Sequence, residues 1–457
     1  MDFAANQLLR FRMEREFRVD LNDRSLEVAS ALHSAFGAPD EPKWPIVLVD
    51  SAKYQTLTDQ ESLSRAAGPV GRNFDLVEVG LFRKQCAQCH GITGDGLGPT
   101  AALLDPYPRD FRRGTFKFKN AAYGNRPSIE DLIQTITHGV PGTSMPAMAN
   151  LKRSKHYADD IPVLARYVRF LAIRGEVERE LMMDTIRDLD SDEILFDIRQ
   201  KDSAPEAFKK NQQTIDQVIA RVADRWLAPA SVQSNEQSDK LSESQYNAFI
   251  NRNQFAENDL RLDSTAMPAD LFQASLRRGR GLFQGSIAAC AQCHGEDGTG
   301  NAKWKDYDEW TKDWTIRAGI DPTVKAEWKP LKKLGLLKPV VASPRNLTLK
   351  AYRGTATAID PGQGNSGKAE VDLADSHVRS SRLSILRAVL NGLEGSPMPA
   401  AALAATTTGG LTDDQIMDLV RFVESLAVPK SFSVAEAILV SSPNGESVTS
   451  QKAGHGS

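Results

Sequence analysis

The sequence lacks any apolar run approaching the ~20 residues needed to span a bilayer. Its longest candidates, residues 44–49 and 161–173, are short or broken by charge. A membrane-spanning helix is therefore not expected, and membrane association is expected only through a partner. A charge imbalance is also missing: 56 Lys+Arg stand against 59 Asp+Glu, a formal −3. That balance gives no electrostatic footprint for nucleic acid. The opening Met1-Asp2-Phe3 has neither a basic n-region nor an apolar h-region, so no signal peptide is visible. Cysteine is scarce, with four in 457 residues. The remaining composition, 41% hydrophobic and 25% charged, is that of an ordinary globular protein. The length suggests two or three domains of about 100–200 residues.

All four cysteines fall in two short runs, Cys86-Ala87-Gln88-Cys89-His90 and Cys290-Ala291-Gln292-Cys293-His294. C-x-x-C-H is the attachment signal for a c-type haem. Thiols three apart share one side of a helical turn, where each can form a thioether to a vinyl group. The adjoining histidine then becomes the proximal axial ligand. C-x-x-C alone reads equally as half a zinc site or a redox pair. The adjoining histidines, and the repetition with no cysteine left over, argue against both. Two covalently bound haem c groups are expected, with His90 and His294 on the irons. Cysteines committed to haem leave no disulfide, so they do not report the compartment. Attachment of this kind is expected outside the bacterial cytoplasm. The protein is therefore expected to be periplasmic or otherwise exported, its targeting segment not visible here.

Further landmarks recur in the same order, which marks a duplicated unit. Gly80-Leu81-Phe82 and Gly281-Leu282-Phe283 precede the motifs. Gly-rich loops at 91–96 and 295–300 follow them. Next come Pro108-Arg109-Asp110-Phe111 and Pro344-Arg345-Asn346-Leu347, then the segments 139–146 and 392–399, which end in Met145-Pro146 and Met398-Pro399. The last landmarks are helical patterns at 164–172 and 419–427.

With these landmarks, residues 75–175 and 275–428 resemble class I c-type cytochromes, the small all-helical haem domains. The resemblance implies an all-α fold of two tandem haem domains joined by a helical, partly flexible linker. In each, a leading helix runs into the motif and a closing helix crosses it. The resemblance also implies a loop methionine as sixth ligand. Cys86, Cys89, His90 and Met145 carry over for the first haem, and Cys290, Cys293, His294 and Met398 for the second. A thioether suits a low-spin haem iron, and a flanking proline stiffens the loop that holds it. Met148 lies close to Met145 as an alternative. Arg109 and Arg345 occupy equivalent positions, where a guanidinium fork suits haem propionates; a solvated loop arginine is the plainer reading. His138 aligns with Asn391 and is read as a helix-end residue.

Outside these units, residues 1–74 hold no cofactor ligand and are read either as a docking module or as a structural flap. Within them, 25–36 reads as a helix with Leu26, Ala29, Leu32 and Phe36 on one face, and 44–49 as a short strand or buried extended run. Residues 176–270 read as charged helices, with Ile215, Val218, Ile219, Val222 and Trp226 in phase, followed by a polar linker at 230–244. The second domain, 271–430, departs from the first. His90 to Met145 is 55 residues, whereas His294 to Met398 is 104. Much of the excess lies at 301–341, which holds Trp304, Trp310, Trp314 and Trp328, four of the six tryptophans. That insert either fills a local mini-core or serves the haem or a partner. The basic stretch 109–126 either steers an acidic redox partner or is a solvated face. Residues 431–457 read as a flexible tail, and 362–367 as a mobile loop.

The reading is a dihaem cytochrome that carries electrons between redox protein partners, as a subunit or docking partner of a respiratory complex. Full His/Met ligation leaves no iron position for substrate, so an electron carrier is expected rather than an enzyme. The alternative is a dihaem oxidoreductase, such as a peroxidase or thiosulfate dehydrogenase, with one displaceable methionine.

Overall fold

The computed structural model describes residues 3, 5–68, 71–72, 78–119, 121, 123–148, 157–187, 200–227, 269–304, 306–349, 384–402 and 408–427. The polar linker 230–244, the loop 362–367 and the tail 431–457 lie outside the described residues. Among those described, the fold is helical apart from two short antiparallel pairs. Gly71–Arg72 pairs with Glu78–Val79, and Asp306–Tyr307 with Val341–Ala342.

Around the first motif, the leading helix Leu81–Gln85 runs into the motif turn Ala87–His90. Helix Ile129–His138 starts at a capping box, in which Ser128 Oγ accepts from Asp131 N at 3.1 Å while Asp131 accepts from Ser128 N at 3.1 Å. The closing helix Tyr157–Arg187 is 31 residues long. It buries Leu164, Val168 and Leu171 on one side but also Tyr167, Phe170, Ile173 and Val177, so it is wrapped rather than half-covered. Helices Ile129–His138, Asn22–Phe36, Gln60–Ala67 and Pro205–Leu227 all pack against it. The N-terminal segment is thus built into the first core. Phe170 meets the rings of Phe3, Phe36 and Trp44 at 6.5, 5.8 and 5.1 Å, and burial of one such ring stabilises by about 1.5–3 kcal/mol. Ile215, Val218, Ile219, Val222 and Trp226 are buried, as their spacing predicts.

Around the second motif, the leading helix Ala269–Gln284 packs against the closing helix Asp413–Leu426. The closing helix opens on a Thr412/Gln415 capping box. A methyl on Gly279 would run into the Asp418 carbonyl oxygen, so the missing side chain is what lets the two backbones approach. The Asp418 carboxylate is buried there and accepts from Ser275 Oγ at 2.5 Å and Arg278 Nε at 2.7 Å. Corresponding aromatic pairs sit at the two helix crossings, Phe82 with Tyr167 at 5.0 Å and Phe283 with Phe422 at 5.4 Å.

The tryptophan insert joins the two halves. Trp314, Trp328, Ala318, Ile320 and Leu336 form a small core with Leu8 of the N-terminal helix Gln7–Phe17. Asp313 lies at its edge, 3.7 Å from Arg12, 3.3 Å from Arg113, 3.8 Å from Arg179 and 3.1 Å from Arg317. Tyr107 Oη donates to the Lys338 carbonyl at 3.0 Å.

Two expectations change. Ile46–Val49 is a single helical turn instead of a strand, with Ile46 75% exposed and only Leu48 of the four buried. Pro45 presets its own φ at −55°, and four residues without a pairing neighbour gain their hydrogen bonds by coiling. Helix Asn22–Phe36 turns Val28, Ala31, Leu32 and Phe36 inward and leaves Leu26 67% exposed.

Candidate haem sites

Each motif closes as one helical turn. The Cys86 carbonyl accepts from Cys89 N at 3.1 Å and His90 N at 2.9 Å; the Cys290 carbonyl accepts from Cys293 N at 3.2 Å and His294 N at 2.9 Å. Gly91 and Gly295, at φ +74° and +76°, end the turns in a conformation that favours glycine. The chain then curls back beneath each histidine. Gly96 N donates to the His90 carbonyl at 2.9 Å, and Gly300 N to the His294 carbonyl at 2.7 Å. Phe111 N donates to the Gly94 carbonyl at 2.8 Å, and Leu347 N to the Gly298 carbonyl at 2.7 Å.

This curl delivers a backbone acceptor to each imidazole. His90 Nδ1 donates to the Arg109 carbonyl at 3.1 Å, and His294 Nδ1 to the Arg345 carbonyl at 2.9 Å. A carbonyl only accepts, so both rings carry Nδ1–H and present the Nε2 lone pair. Burial pulls both histidines below their ordinary pKa, which keeps them neutral and able to ligate. Phe111 stacks on His90 at 4.5 Å and 22°, where the second unit has Leu347. Burial pushes the Cys86 thiol up to about 12 and the Cys290 thiol up to about 11. Reactive thiolates and zinc ligands need the opposite shift.

The two methionine loops match bond for bond. Val140 N donates to the Met145 carbonyl at 3.2 Å, and Leu393 N to the Met398 carbonyl at 3.1 Å. Thr143 Oγ1 bonds the Val140 carbonyl at 2.8 Å and receives Met145 N at 3.2 Å. Ser396 Oγ bonds the Leu393 carbonyl at 2.7 Å and receives Met398 N at 3.3 Å. Met145 and Cys86 both pack on the first core, of which the buried Met148 is part.

In the second unit Cys290, Cys293, His294 and Met398 line one cavity of about 670 Å³, within the range of organic cofactor pockets. The first unit supplies part of its wall through Lys117, Phe118, Lys119, Gln134 and Thr135. Gln134 Oε1 and Asn391 Oδ1, both cavity residues, are buried without a hydrogen-bond partner. Two thiols, a neutral imidazole and a thioether lining one cavity fit a covalently held haem. Sequence reasoning missed Gln134 and the Phe111 stack. Gln134 lies one helical turn before His138, a weak signal; Phe111 stood in the repeated Pro-Arg landmark, but its counterpart Leu347 gave no sign of a ring stack.

Other predicted residues fall as follows. His138 ends helix Ile129–His138, with Nδ1 on the Gln134 carbonyl, away from ligand geometry. Much of the basic stretch is spent inside the molecule: Arg112 on Asp110, Arg113 on Asp313, Lys119 on Glu394 and Arg126 on Glu176. It is an internal seam, not a free patch. Trp304 is exposed and lines the cavity, unlike Trp314 and Trp328. Arg109 and Arg345 put their carbonyls on the histidines, while their guanidinium groups reach the methionine loops of the opposite unit.

Residues 79–168 match the family described as cytochrome c oxidase, cbb3-type, subunit III. That stretch has the sequence of a cytochrome c domain, which implies covalently bound haem c, and it covers about a fifth of the chain. No curated protein matches. Among solved structures, the chain is similar to one of the Kuenenia stuttgartiensis reducing HAO-like protein complex Kustc0457/Kustc0458. The identity is 17%, covering 76% of this chain and 94% of that one, with a TM-score of 0.37. No described helix is long and apolar enough to cross a membrane.

Proposed function

We propose that the protein is a dihaem c-type cytochrome that passes electrons between redox partners, with one haem at Cys86/Cys89/His90/Met145 and the other at Cys290/Cys293/His294/Met398. The observation that carries this is the repeated geometry. Motif turn, Nδ1-to-carbonyl bond and methionine loop recur in the second unit with the same bonds, although only the first matches a family by sequence. Haem c held in this way supplies a one-electron ferric/ferrous couple. The chain's own residues do the rest. The Arg109 and Arg345 carbonyls orient the imidazoles and strengthen their basicity. Thr143 and Ser396 brace the loops that bring Met145 and Met398 forward. Exported placement, and service as a subunit or docking partner of a respiratory complex, follow from the same reading.

The test is haem content per chain by pyridine haemochrome, followed by a redox titration with optical and EPR spectra, with and without peroxide, thiosulfate and carbon monoxide. Two low-spin haems indifferent to all three additives are expected. One haem per chain would overturn the dihaem reading. A high-spin or ligand-binding haem would instead favour an oxidoreductase such as a peroxidase or thiosulfate dehydrogenase.

A further inference from the structure

The segments Pro108-Arg109 and Pro344-Arg345 each take part in both sites. By its main chain, Arg109 belongs to the first site, because its carbonyl holds His90 Nδ1 at 3.1 Å. By its side chain it belongs to the second. A methyl built on Gly395, three residues before Met398, would lie 3.2 Å from Arg109 Nη1. Arg345 repeats this with the units exchanged: its carbonyl holds His294 Nδ1 at 2.9 Å, and a methyl on Gly142, three residues before Met145, would lie 2.7 Å from its Nη1. Both glycines have positive φ, +72° at Gly142 and +74° at Gly395. A Cβ at Gly142 would push the Arg345 guanidinium aside and one at Gly395 would crowd that of Arg109, so both glycines leave room for the opposite unit's arginine.

We propose that Arg109 and Arg345 are positioning residues that couple the two haem sites crosswise, each orienting the proximal histidine of its own unit and setting the charge beside the methionine of the other. The idea rests on the dihaem reading above. It adds that neither site is electrostatically complete without the other unit. A fixed positive charge beside an iron site favours the reduced state, so each arginine raises the potential of the opposite haem. Around Arg109 the effect has the same sign from a second source. Asp308 and Glu394 of the second unit lie in its field, and removing the guanidinium leaves their negative charge uncompensated beside the second site. The main-chain contribution survives any side-chain substitution, so the two roles of each arginine can be separated.

The experiment uses the full, haem-loaded chain and a spectropotentiometric titration. The two haems are told apart by noting which potential collapses in Met145→Ala and in Met398→Ala. Arg109→Gln is expected to lower the potential of the Met398 haem more than that of the Met145 haem. Arg345→Gln is expected to do the reverse. Arg109→Lys, which keeps the charge, should restore most of the shift, whereas Arg109→Met, which keeps the bulk alone, should not. If Arg109→Gln fails to accumulate, Arg345→Gln carries the same prediction with the haems exchanged. A shift confined to the haem of the arginine's own unit overturns the crosswise assignment, as does no shift in a chain that still binds two haems. A chain that binds one haem fails the dihaem reading itself, and haem counting separates that outcome from the others.

Discussion

Replacing Asp313 by Asn removes the carboxylate on which three otherwise separate parts of the chain converge. Arg12 comes from the N-terminal helix, Arg113 from the segment after the first motif and Arg179 from the long closing helix, at 3.7, 3.3 and 3.8 Å, while Arg317 of the insert lies at 3.1 Å. The Asp313 side chain is 14% exposed. At an effective dielectric near 20, each pair attracts by about 4–5 kcal/mol before costs. Repulsion among the four guanidinium groups and desolvation offset most of this. The net loss on deleting one partner of a buried pair is about 3–5 kcal/mol. For a cooperative unit of 150–250 residues, that is a fall of about 6–20 °C in Tm. The effect should depend on pH. Burial works to raise the Asp313 carboxyl, but Arg113, Arg179 and Arg12 outweigh it and hold it below the usual carboxylate range. A depressed carboxylate stabilises fully above its unfolded pKa of about 3.9 and loses that contribution as pH falls through the lower folded value. The urea midpoints of wild type and Asp313→Asn should therefore differ most at pH 7 and converge below about pH 4. Limited proteolysis at pH 7 should find the insert more accessible in the variant. A Tm within 2 °C of wild type, or a midpoint difference that persists unchanged into acid, would refute the claim that this carboxylate clamps the halves together.

Three further outcomes are expected. Met398→Ala should abolish the methionine–iron charge-transfer band of one haem and leave the other; an unchanged spectrum would remove Met398 from the ligand set. Gly279→Ala should force the leading and closing helices of the second unit apart at the Asp418 carbonyl, costing about 1–3 kcal/mol or more. Its spectral consequences should be confined to the Met398 haem, as optical melting would read. Phe111→Ala should cost about 3–5 kcal/mol and Phe111→Leu much less, because Leu347 already fills the equivalent place; equal urea midpoints for the two variants would contradict this volume-filling role and point to the ring stack on His90 instead.

What the sequence disclosed was local. Cys86, Cys89 and His90 share one turn, and Thr143 and Met145 share one loop, so spacing alone brought them together. The same holds for Cys290, Cys293 and His294, and for Ser396 and Met398. Periodicity found the helices but misplaced Leu26, because the inward stripe of Asn22–Phe36 runs through Val28, Ala31, Leu32 and Phe36 and leaves Leu26 outside it. It also assigned a strand to 44–49, since β-branched residues satisfy both patterns until pairing decides. Long-range partners left no trace in either period. That Arg113 and Arg12 share Asp313, that Lys119 meets Glu394, and that Arg109 reaches Gly395 depend on surfaces brought together from opposite ends of the chain.

The cavity of the second unit has one consequence for how the molecule is made. Part of its wall, from Lys117 to Thr135, belongs to a segment that leaves the ribosome well before Cys290 does. Lys119 and Glu394 then close the seam across it. A pocket built from an early and a late piece of chain has an order of assembly. Under the dihaem proposal, a cofactor held by Cys290 and Cys293 would have its full wall only once the two pieces have met. A substitution in the wall from Lys117 to Thr135 should therefore be felt at the second site, although it lies in the first half of the chain.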